Sequence, residues 1–391
     1  MRNLESLTIH QFRGLQNLEL KDTGQINILV GVNNAGKTSV LEAISTYCRP
    51  LDLSEWLSTA LRREISLYRS SSRLEALKWL FPQQKQGKHT QSYQGQILIS
   101  GTGDFPVSKL EATYQELEGT WISKETLGDE EINDRDESLE DDFSNRQGAE
   151  LELRVTPATV QIDLFQNQNE IIEKFQIWEN DRFIPKRGQK NLALPVATIT
   201  PFSHRAERFQ IRLLSDAIFQ DFKSEVIRLL QYMDSGIIDL ELVVPPGQRI
   251  RNPSIYIKHQ QTGIAPISAF GDGVSRLLSM ALMLPRVKEG ILLIDELGTA
   301  IHTEALQFFF KWLIDWSRKM NVQIFATTHS LEVIDALLVA NTSETDLVAN
   351  TSETDLVVYR IKPDASQTNV VRLDRNMLKI LREELGQEVR W

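Results

Sequence analysis

The most specific chemical pattern in the sequence is a glycine-rich loop of the form G-x-x-x-x-G-K-T. The loop runs from Gly31 to Thr38, after the apolar segment Ile26–Val30 and before a stretch of good helix formers. In such a loop the backbone N–H groups surround phosphate oxygens, and the start of the following helix favours negative charge. The pattern therefore predicts a site for the phosphates of a nucleotide.

Individual positions of this loop have different predicted roles. The Lys37 ammonium group is expected to reach the β- and γ-phosphate oxygens, and the Thr38 hydroxyl group to bind Mg²⁺. The glycines allow the backbone to wrap closely around the phosphates. The other positions that we assign to nucleotide binding are Gly31, Asn33, Asn34, Ala35, Gly36 and Ser39.

Two adjacent carboxylates follow a second apolar segment. Ile291–Ile294 is typical of a buried strand, and Asp295 and Glu296 come directly after it. Open parallel sheets bind their ligands at the carboxyl ends of the strands. We expect Asp295 to hold Mg²⁺ and Glu296 to orient and deprotonate an attacking water molecule. Taken alone, the pair could also be two solvated carboxylates at a strand end.

Two further segments could contribute to the same site. His329 follows the next predicted strand and should emerge at the same edge of the sheet, where it could form a hydrogen bond to the γ-phosphate. Residues 267–276 place small residues, including Gly271 and Gly273, directly before a helix. The start of a helix attracts anions, although this second signal is weak by itself.

For these residues to act together, the strands that precede them must be neighbours in one sheet, with their carboxyl ends at the same edge. From residue 264 the pattern predicts helix, strand, helix and strand, with the strands at Ile291–Ile294 and Val322–Ala326. In the helix between them, Thr303–Met320, the polar residues form one narrow stripe, so most of the helix should be buried. This order, with continuous apolar strands, predicts a right-handed βαβ unit in a largely parallel sheet.

The rest of the chain is more varied. Three short strands open it, and residues 39–80 read as helical with an interruption at Pro50. Alternating apolar and polar residues predict a β-rich insertion between residues 93 and 200. Residues 204–233 are again helical, and a hairpin around Pro245–Gly247 is expected to follow.

These elements, in this order, resemble the head of an ATP-binding-cassette ATPase. The resemblance is to the branch that contains RecF, the SMC proteins and the OLD (overcoming lysogenization defect) family. Leu7–Leu15 is similar to the opening strand and turn of that branch, and Phe270–Val274 to its signature motif. Asp295–His302 and Thr328–Ile334 are similar to the OLD-type Walker B, D-loop and switch-histidine segments. The similarity is specific near residues 1–48 and 264–335, and only architectural between them.

The resemblance implies an α/β P-loop NTPase fold of the cassette-head type, with a mixed, largely parallel sheet, a β-rich insertion and a helical subdomain. It implies that ATP and Mg²⁺ are bound and that Arg13 approaches the phosphates. Gly271 and Gly273 would cap ATP bound by a second copy of the chain, in a homodimer closed around nucleotide. Gly271 stands where cassette ATPases usually have serine.

Two features separate the sequence from parts of that branch. Residues 39–270 lack the sustained heptads of a long coiled-coil arm, as found in SMC proteins. The 62 residues after His329 lack a D-x-D pair, so we expect no Toprim nuclease domain like that of OLD proteins. A separately encoded nuclease or other effector is therefore the expected partner, and DNA is a possible one.

We divide the chain into four parts: residues 1–92, the first half of the ATPase head; 93–200, the β-rich insertion; 201–263, a helical segment and hairpin; and 264–391, the second half of the head. Residues 125–142 hold ten carboxylates and one arginine, which account for nine of the ten net negative charges. Such a run is usually a solvated loop. A nine-residue unit, Val339–Leu347, repeats at once as Val348–Leu356 and reads as a loop duplication.

Composition limits the class of protein. The 391 residues include 41% hydrophobic residues and a single cysteine, so a large core is possible and an intrachain disulfide is not. No stretch approaches the roughly 18 apolar residues of a membrane span, and we expect a cytoplasmic protein without a membrane partner.

The leading functional hypothesis is an ATPase that dimerises around nucleotide and acts with DNA or a nuclease partner, in anti-phage defence or DNA repair. The alternative is a nucleotide-gated scaffold that binds ATP and hydrolyses it little. A GTPase is disfavoured because the sequence has no N-K-x-D motif. The cassette subunit of a membrane transporter is disfavoured by the long β-rich insertion.

Overall fold

The computed structural model describes most of the chain, namely residues 2–63, 72–83, 92–121, 144–158, 170–179, 192–205, 207–244, 253–341, 355–364 and 367–390. The acidic run 125–142, the turn at Pro245–Gly247 and most of the nine-residue repeat lie outside the described residues, and so do the predictions made for them.

The described residues form fifteen strands and nine α-helices. The strands are β1 (Ser6–Phe12), β2 (Leu15–Leu20), β3 (Ile26–Val30), β4 (Gln94–Thr102), β5 (Val107–Trp121), β6 (Ser144–Pro157), β7 (Ile171–Trp178), β8 (Val196–Ile199), β9 (Ile237–Val243), β10 (Ser254–His259), β11 (Gly263–Pro266), β12 (Ile291–Ile294), β13 (Gln323–Thr327), β14 (Leu356–Pro363) and β15 (Thr368–Asp374). The helices are α1 (Lys37–Cys48), α2 (Leu53–Leu61), α3 (Arg73–Lys78), α4 (Glu207–Phe219), α5 (Lys223–Gln231), α6 (Gly271–Arg286), α7 (Thr303–Lys319), α8 (Leu331–Ala340) and α9 (Arg375–Lys379), and a π-helical turn, Ile380–Glu384, follows α9.

The central sheet has six strands in the order β15-β14-β3-β13-β12-β8. All neighbouring strands are parallel except β15, which is antiparallel to β14. Every residue of β3, β12 and β13 is buried, as expected for parallel strands that are covered on both faces. The predicted α/β class and the predicted parallel βαβ unit, β12-α7-β13, are confirmed.

The central sheet separates two hydrophobic cores. Successive residues of β12 point to opposite faces, so that Leu292 belongs to the core formed with α4–α8 and Leu293 to the core formed with α1. The polar stripe predicted on α7 is exposed and the opposite side of that helix is buried. Helix α1, which follows the phosphate loop, is therefore fixed between the central sheet and the other strands of the chain.

An antiparallel sheet with the order β2-β1-β4-β5-β6-β7 covers the α1 side. The opening hairpin β1-β2 pairs with β4 and so joins the β-rich region, whereas β8 lies in the central sheet. The boundaries drawn from the sequence at residues 92 and 200 therefore cut across both sheets. The reason is physical: strand pairing is decided by tertiary contacts, which alternation along the chain does not report. A small sheet, β11-β10-β9, packs beside α4 and α5.

One segment, Ile267–Arg286, is long and apolar enough to meet the length and composition criteria for a membrane span, contrary to the expectation from the sequence. Most of this segment is buried inside the protein, and α6 within it contributes residues such as Leu277 and Leu278 to a core. Its apolar character is that of a core helix.

Candidate nucleotide-binding site

The phosphate loop connects β3 to α1. Gly36 precedes α1 with φ of 90°, a left-handed conformation that glycine adopts without strain. At Gly31 there is no space for a side chain, because a Cβ atom there would lie 2.5 Å from the backbone oxygen of Ile361 in β14. Asn33 and Asn34 form the exposed part of the loop, and Ala35 is buried beneath it. The loop therefore has the conformation and the packing of a phosphate cradle.

Lys37 begins α1, and its side chain returns across the loop. Its Nζ donates hydrogen bonds to the backbone oxygens of Gly31 and Val32, at 2.9 and 2.8 Å. Burial lowers the pKa of Lys37, and the charges of Asp295 and Glu296 oppose this shift. The ammonium group thus contacts the loop and lies within electrostatic reach of Asp295, the predicted metal ligand, and Glu296, the predicted general base.

Thr38 and Asp295 face each other, although they are 257 positions apart in the chain. The Thr38 hydroxyl group donates to both carboxylate oxygens of Asp295 at 3.2 Å, and Thr327 Oγ1 donates to Asp295 Oδ1 at 2.7 Å. Hard oxygen atoms of this kind suit Mg²⁺, which commonly takes one or two carboxylates together with substrate phosphates. No group of three His, Cys, Asp or Glu side chains with metal-binding geometry occurs in the described part of the chain. The residues present therefore fit a nucleotide-dependent Mg²⁺ ion.

Glu296 adopts a left-handed backbone conformation with φ of 57°, which is uncommon for a residue other than glycine. Its backbone is held from both sides. The N–H group donates to Thr327 Oγ1 at 2.8 Å, and the carbonyl oxygen accepts from Arg276 Nη2 at 2.7 Å. The side chain is exposed, and Thr299 Oγ1 donates to its Oε2 at 3.4 Å. A fixed backbone with an accessible carboxylate suits a group that positions water.

Arg276 was not assigned a role from the sequence, yet it is fully buried beneath these carboxylates. It donates to the backbone oxygens of Pro201, Asp295 and Glu296, at 3.0, 3.1 and 2.7 Å. Burial lowers the pKa of Arg276, and the charges of Glu296 and Asp295 oppose this shift. The available signal was a single charged side chain inside an otherwise apolar helix, between Asp272 and Arg286.

His329 emerges beyond the end of β13, as expected. Burial lowers its pKa below the ordinary value of 6.5, and the positive charge of Lys37 lowers it further, while Glu296 and Asp295 oppose the shift. The imidazole ring is therefore neutral at pH 7 and lies within the electrostatic reach of the other site residues. Its backbone oxygen accepts a hydrogen bond of 2.6 Å from Arg390 Nη1.

The structure does not bring every predicted residue to the loop. The Arg13 guanidinium group is bound to the buried carboxylate of Glu42, at 2.7 Å, and to the carbonyl oxygen of Trp79, at 2.9 Å. Arg13 could make its expected contact with the phosphates only if its ion pair with Glu42 were broken. Ser39 Oγ accepts from Arg63 Nη2 at 2.9 Å. Burial of Glu42 explains its pair with Arg13, because a buried carboxylate needs compensating charge.

Gly271 and Gly273, predicted to cap nucleotide on a second copy, begin α6. Gly271 is exposed, with φ of 86°, and Gly273 is half-buried. A Cβ atom at Gly273 would lie 2.6 Å from the backbone oxygen of Ala300, which explains why a residue without a side chain is needed there.

The sequence also missed the segment that follows β8. β8 is the parallel neighbour of β12, and the Asp295 N–H group donates to the Ile199 oxygen at 2.8 Å. The polar residues Thr200 and Ser203, which are hydrogen-bonded to each other, therefore line the same cavity as Thr38 and Asp295.

Comparison with known proteins shows one family match and several partial ones. The model of the family described as "AAA domain, putative AbiEii toxin, Type IV TA system" matches residues 26–335. Uncharacterized protein MJECL10 of Methanocaldococcus jannaschii is 43% identical over 68 residues, which are 17% of this chain and 30% of that protein. The DNA replication and repair protein RecF of Rickettsia felis is 50% identical over 44 residues, which are 11% of this chain and 12% of RecF. The chain thus spans less than a third of the length of either relative.

Solved structures with an overall similarity include heads of SMC proteins. The SmcHead bound to the C-winged helix domain of ScpA is 11% identical, covers 95% of this chain and 98% of its own, and has a TM-score of 0.45. The SMC head domain from Thermotoga maritima is 12% identical, covers 95% and 99%, and has a TM-score of 0.38.

Proposed function

The chain belongs to this AAA-domain family, and from that premise we propose that it binds ATP with Mg²⁺ and hydrolyses it. The observation that carries the proposal is the meeting of Thr38, from the phosphate loop, with Asp295, from the end of β12. The two residues are 257 positions apart in the chain, and a hydroxyl group and a carboxylate at hydrogen-bonding distance are the oxygen ligands that a phosphate-bound Mg²⁺ would use.

The phosphate loop and Lys37 would bind the phosphates. The loop N–H groups surround the oxygens, and the Lys37 Nζ exchanges its two carbonyl contacts for phosphate oxygens, which are charged and accept stronger hydrogen bonds. Thr38 and Asp295 would hold Mg²⁺, which when bound neutralises charge on the phosphate oxygens. Thr327 keeps Asp295 in place through its bond to Oδ1.

Glu296 would act on the water. In the hydrolysis step the water oxygen bonds to the γ-phosphorus as the bond to the β,γ-bridging oxygen breaks, and Glu296 accepts the proton from the water. His329 would donate a hydrogen bond from its ring N–H group to a γ-phosphate oxygen. Because its pKa is lowered, the ring is neutral at pH 7 and adds no positive charge beside Lys37.

Glu296→Gln tests the proposal, because glutamine keeps the shape of the side chain and removes its basicity. We expect ATP affinity within about threefold of the wild type and hydrolysis at least about 100-fold slower. Glu304→Gln, at the exposed start of α7, is the matched control and should retain full activity. Normal turnover by Glu296→Gln would remove the proposed role of that residue. A wild-type protein that binds ATP without hydrolysing it would instead favour a nucleotide-gated scaffold.

We further propose that the chain forms a homodimer through nucleotide, with Gly271 and Gly273 of one copy facing ATP on the other. The exposed position of Gly271 at the start of α6 supports this arrangement. Light scattering of Glu296→Gln should then show a dimer with ATP and a monomer without it. A mass that does not change with ATP would argue against nucleotide-dependent dimerisation.

The setting that we propose is cytoplasmic, in DNA repair or in defence against phage, with DNA or a separately encoded nuclease as partner. The toxin–antitoxin description of the family and the local identity to RecF support this choice. We expect the purified chain to leave plasmid DNA intact in the presence of Mg²⁺, Mn²⁺ and ATP. Nicking that survives Glu296→Gln would assign a nuclease to this chain itself.

A further inference from the structure

A cavity of about 420 Å³ adjoins the proposed Mg²⁺ ligands, because Thr38 and Asp295 are among the residues that line it. Its wall also includes Arg62 and Arg63, which follow α2, residues of α1, and the segment after β8. The steps proposed for ATP hydrolysis use Thr38 and Asp295 but neither of the two arginines.

The arginine wall carries surplus positive charge. Arg63 forms a two-pronged pair with Glu42, at 2.7 and 2.6 Å, although Glu42 is already paired with Arg13. Arg62 lies 3.3 Å from Glu55, which is also 3.8 Å from Arg49.

Arg49 is paired with Asp52 as well, so four arginines face three carboxylates in this cluster. The arginine cluster therefore carries one net positive charge, whereas Asp295, elsewhere on the cavity wall, carries a negative charge. An anion bound beside the arginines would compensate for their surplus charge.

Two residues that line the cavity hold buried polar atoms without a hydrogen-bond partner. Among the described residues, neither Nη1 of Arg62 nor Oγ1 of Thr198 has one. Buried polar atoms in native proteins nearly always have partners, and an exception often marks the place of a bound water, ion or ligand. A guanidinium group and a hydroxyl group are both donors suited to an oxyanion.

We propose that this cavity binds inorganic phosphate and receives the phosphate that leaves the nucleotide after hydrolysis. The source of the phosphate rests on the proposed function, but the binding site does not. Thr38 and Asp295 belong both to the nucleotide site and to the cavity wall, so a phosphate released beside them enters the cavity without crossing the loop. The arginines attract the anion, whereas the carboxylate of Asp295 repels it.

The test is a calorimetric titration of the nucleotide-free protein with inorganic phosphate. The phosphate loop also binds this anion, so the two sites are separated by Lys37→Ala, which weakens binding at the loop. We expect Lys37→Ala to retain one phosphate site. When Lys37→Ala is combined with Arg62→Gln or with Arg63→Gln, we expect phosphate to bind at least tenfold more weakly at that site. Arg228→Gln, an exposed arginine of α5, is the matched control in the same background.

Melting temperatures establish that each variant is folded. Arg63 is the safer position because its side chain is 44% exposed, and Arg13 remains to neutralise Glu42. Loss of all phosphate binding in Lys37→Ala, or binding that is unchanged by both arginine substitutions, would overturn the proposal. Because the titration uses no ATP, either outcome leaves the proposed ATPase activity untouched, and a protein that fails to hydrolyse ATP would still show the phosphate site.

Discussion

The guanidinium group of Arg276 binds the main chain of Glu296 rather than its carboxylate. Arg276 Nη2 donates to the Glu296 carbonyl oxygen at 2.7 Å and to that of Asp295 at 3.1 Å, while Nη1 reaches Pro201. The helix that begins with the predicted signature glycines therefore fixes the turn that carries both carboxylates. A shift of α6 would move that turn, and with it the proposed general base.

Replacement of Arg276 by methionine should disturb both stability and catalysis. Three backbone oxygens lose a charged donor, so we expect the free energy of unfolding to fall by about 2 kcal/mol or more. The left-handed backbone of Glu296 would lose one of its two restraints, and kcat should fall at least about tenfold with a smaller change in KM. Urea unfolding and steady-state kinetics measure these effects. Arg286→Met, in the last turn of the same helix, should change neither by much.

Thr327→Val removes one hydroxyl group without a change of shape. That hydroxyl donates to Asp295 Oδ1 and accepts from the Glu296 N–H group, so both carboxylate residues lose a partner. We expect a loss of about 1–3 kcal/mol in unfolding free energy and hydrolysis at least about tenfold slower. A variant with wild-type kcat would show that Asp295 and Glu296 are positioned without Thr327.

Lys37→Ala should weaken the binding of ATP. The ammonium group already contacts the backbone oxygens of Gly31 and Val32 in the loop, and hydrogen bonds to charged groups contribute about 1.5–3 kcal/mol each. We therefore expect Kd for ATP to rise by at least about tenfold in calorimetry. Lys288→Ala, exposed near the end of α6, serves as the control. Unchanged affinity would mean that the loop does not bind the phosphates.

The lowered pKa of His329 predicts a dependence of stability on pH. The folded state resists protonation of this ring, while the unfolded chain accepts a proton near pH 6.5. Stability should therefore fall as the pH decreases through 6.5 towards the lowered pKa. His329→Gln should show a weaker decrease, and His302→Gln, whose ring is exposed, the same decrease as the wild type. Equal slopes for His329→Gln and the wild type would contradict the shift.

Gly31→Ala should destabilise the protein even without nucleotide. The added Cβ atom would lie 2.5 Å from the Ile361 backbone oxygen, and a backbone atom cannot move aside as a flexible side chain does. We expect a loss of about 1–3 kcal/mol, measured by thermal unfolding. Gly14→Ala is the control, because nothing lies within 4 Å of a Cβ atom there. Equal melting temperatures for Gly31→Ala and Gly14→Ala would contradict the predicted loss of stability.

The site residues that lie in segments with a strong local sequence pattern were predictable from the sequence. The loop around Lys37 and the strand before Asp295 each carry a strong local signal, and the parallel order of β12 and β13 follows from the helix between them. Arg276 could not be found in this way, because its partners are backbone oxygens distant in the chain. Thr200 could not be found because it reaches the site only through the pairing of β8 with β12. The pairing of β1 with β4 could not be predicted either, because three helices lie between these two strands in the sequence.

The position of β3 in the central sheet has a consequence for how the chain is made. β3 is complete at residue 30, but its two neighbours are β13, residues 323–327, and β14, residues 356–363. On the ribosome the phosphate loop is thus translated long before either neighbour of its strand, and contacts so far apart in sequence form slowly. A product that terminates before β13 would leave β3 without either neighbour, and we expect it to bind nucleotide more weakly than a chain that includes β13 and β14.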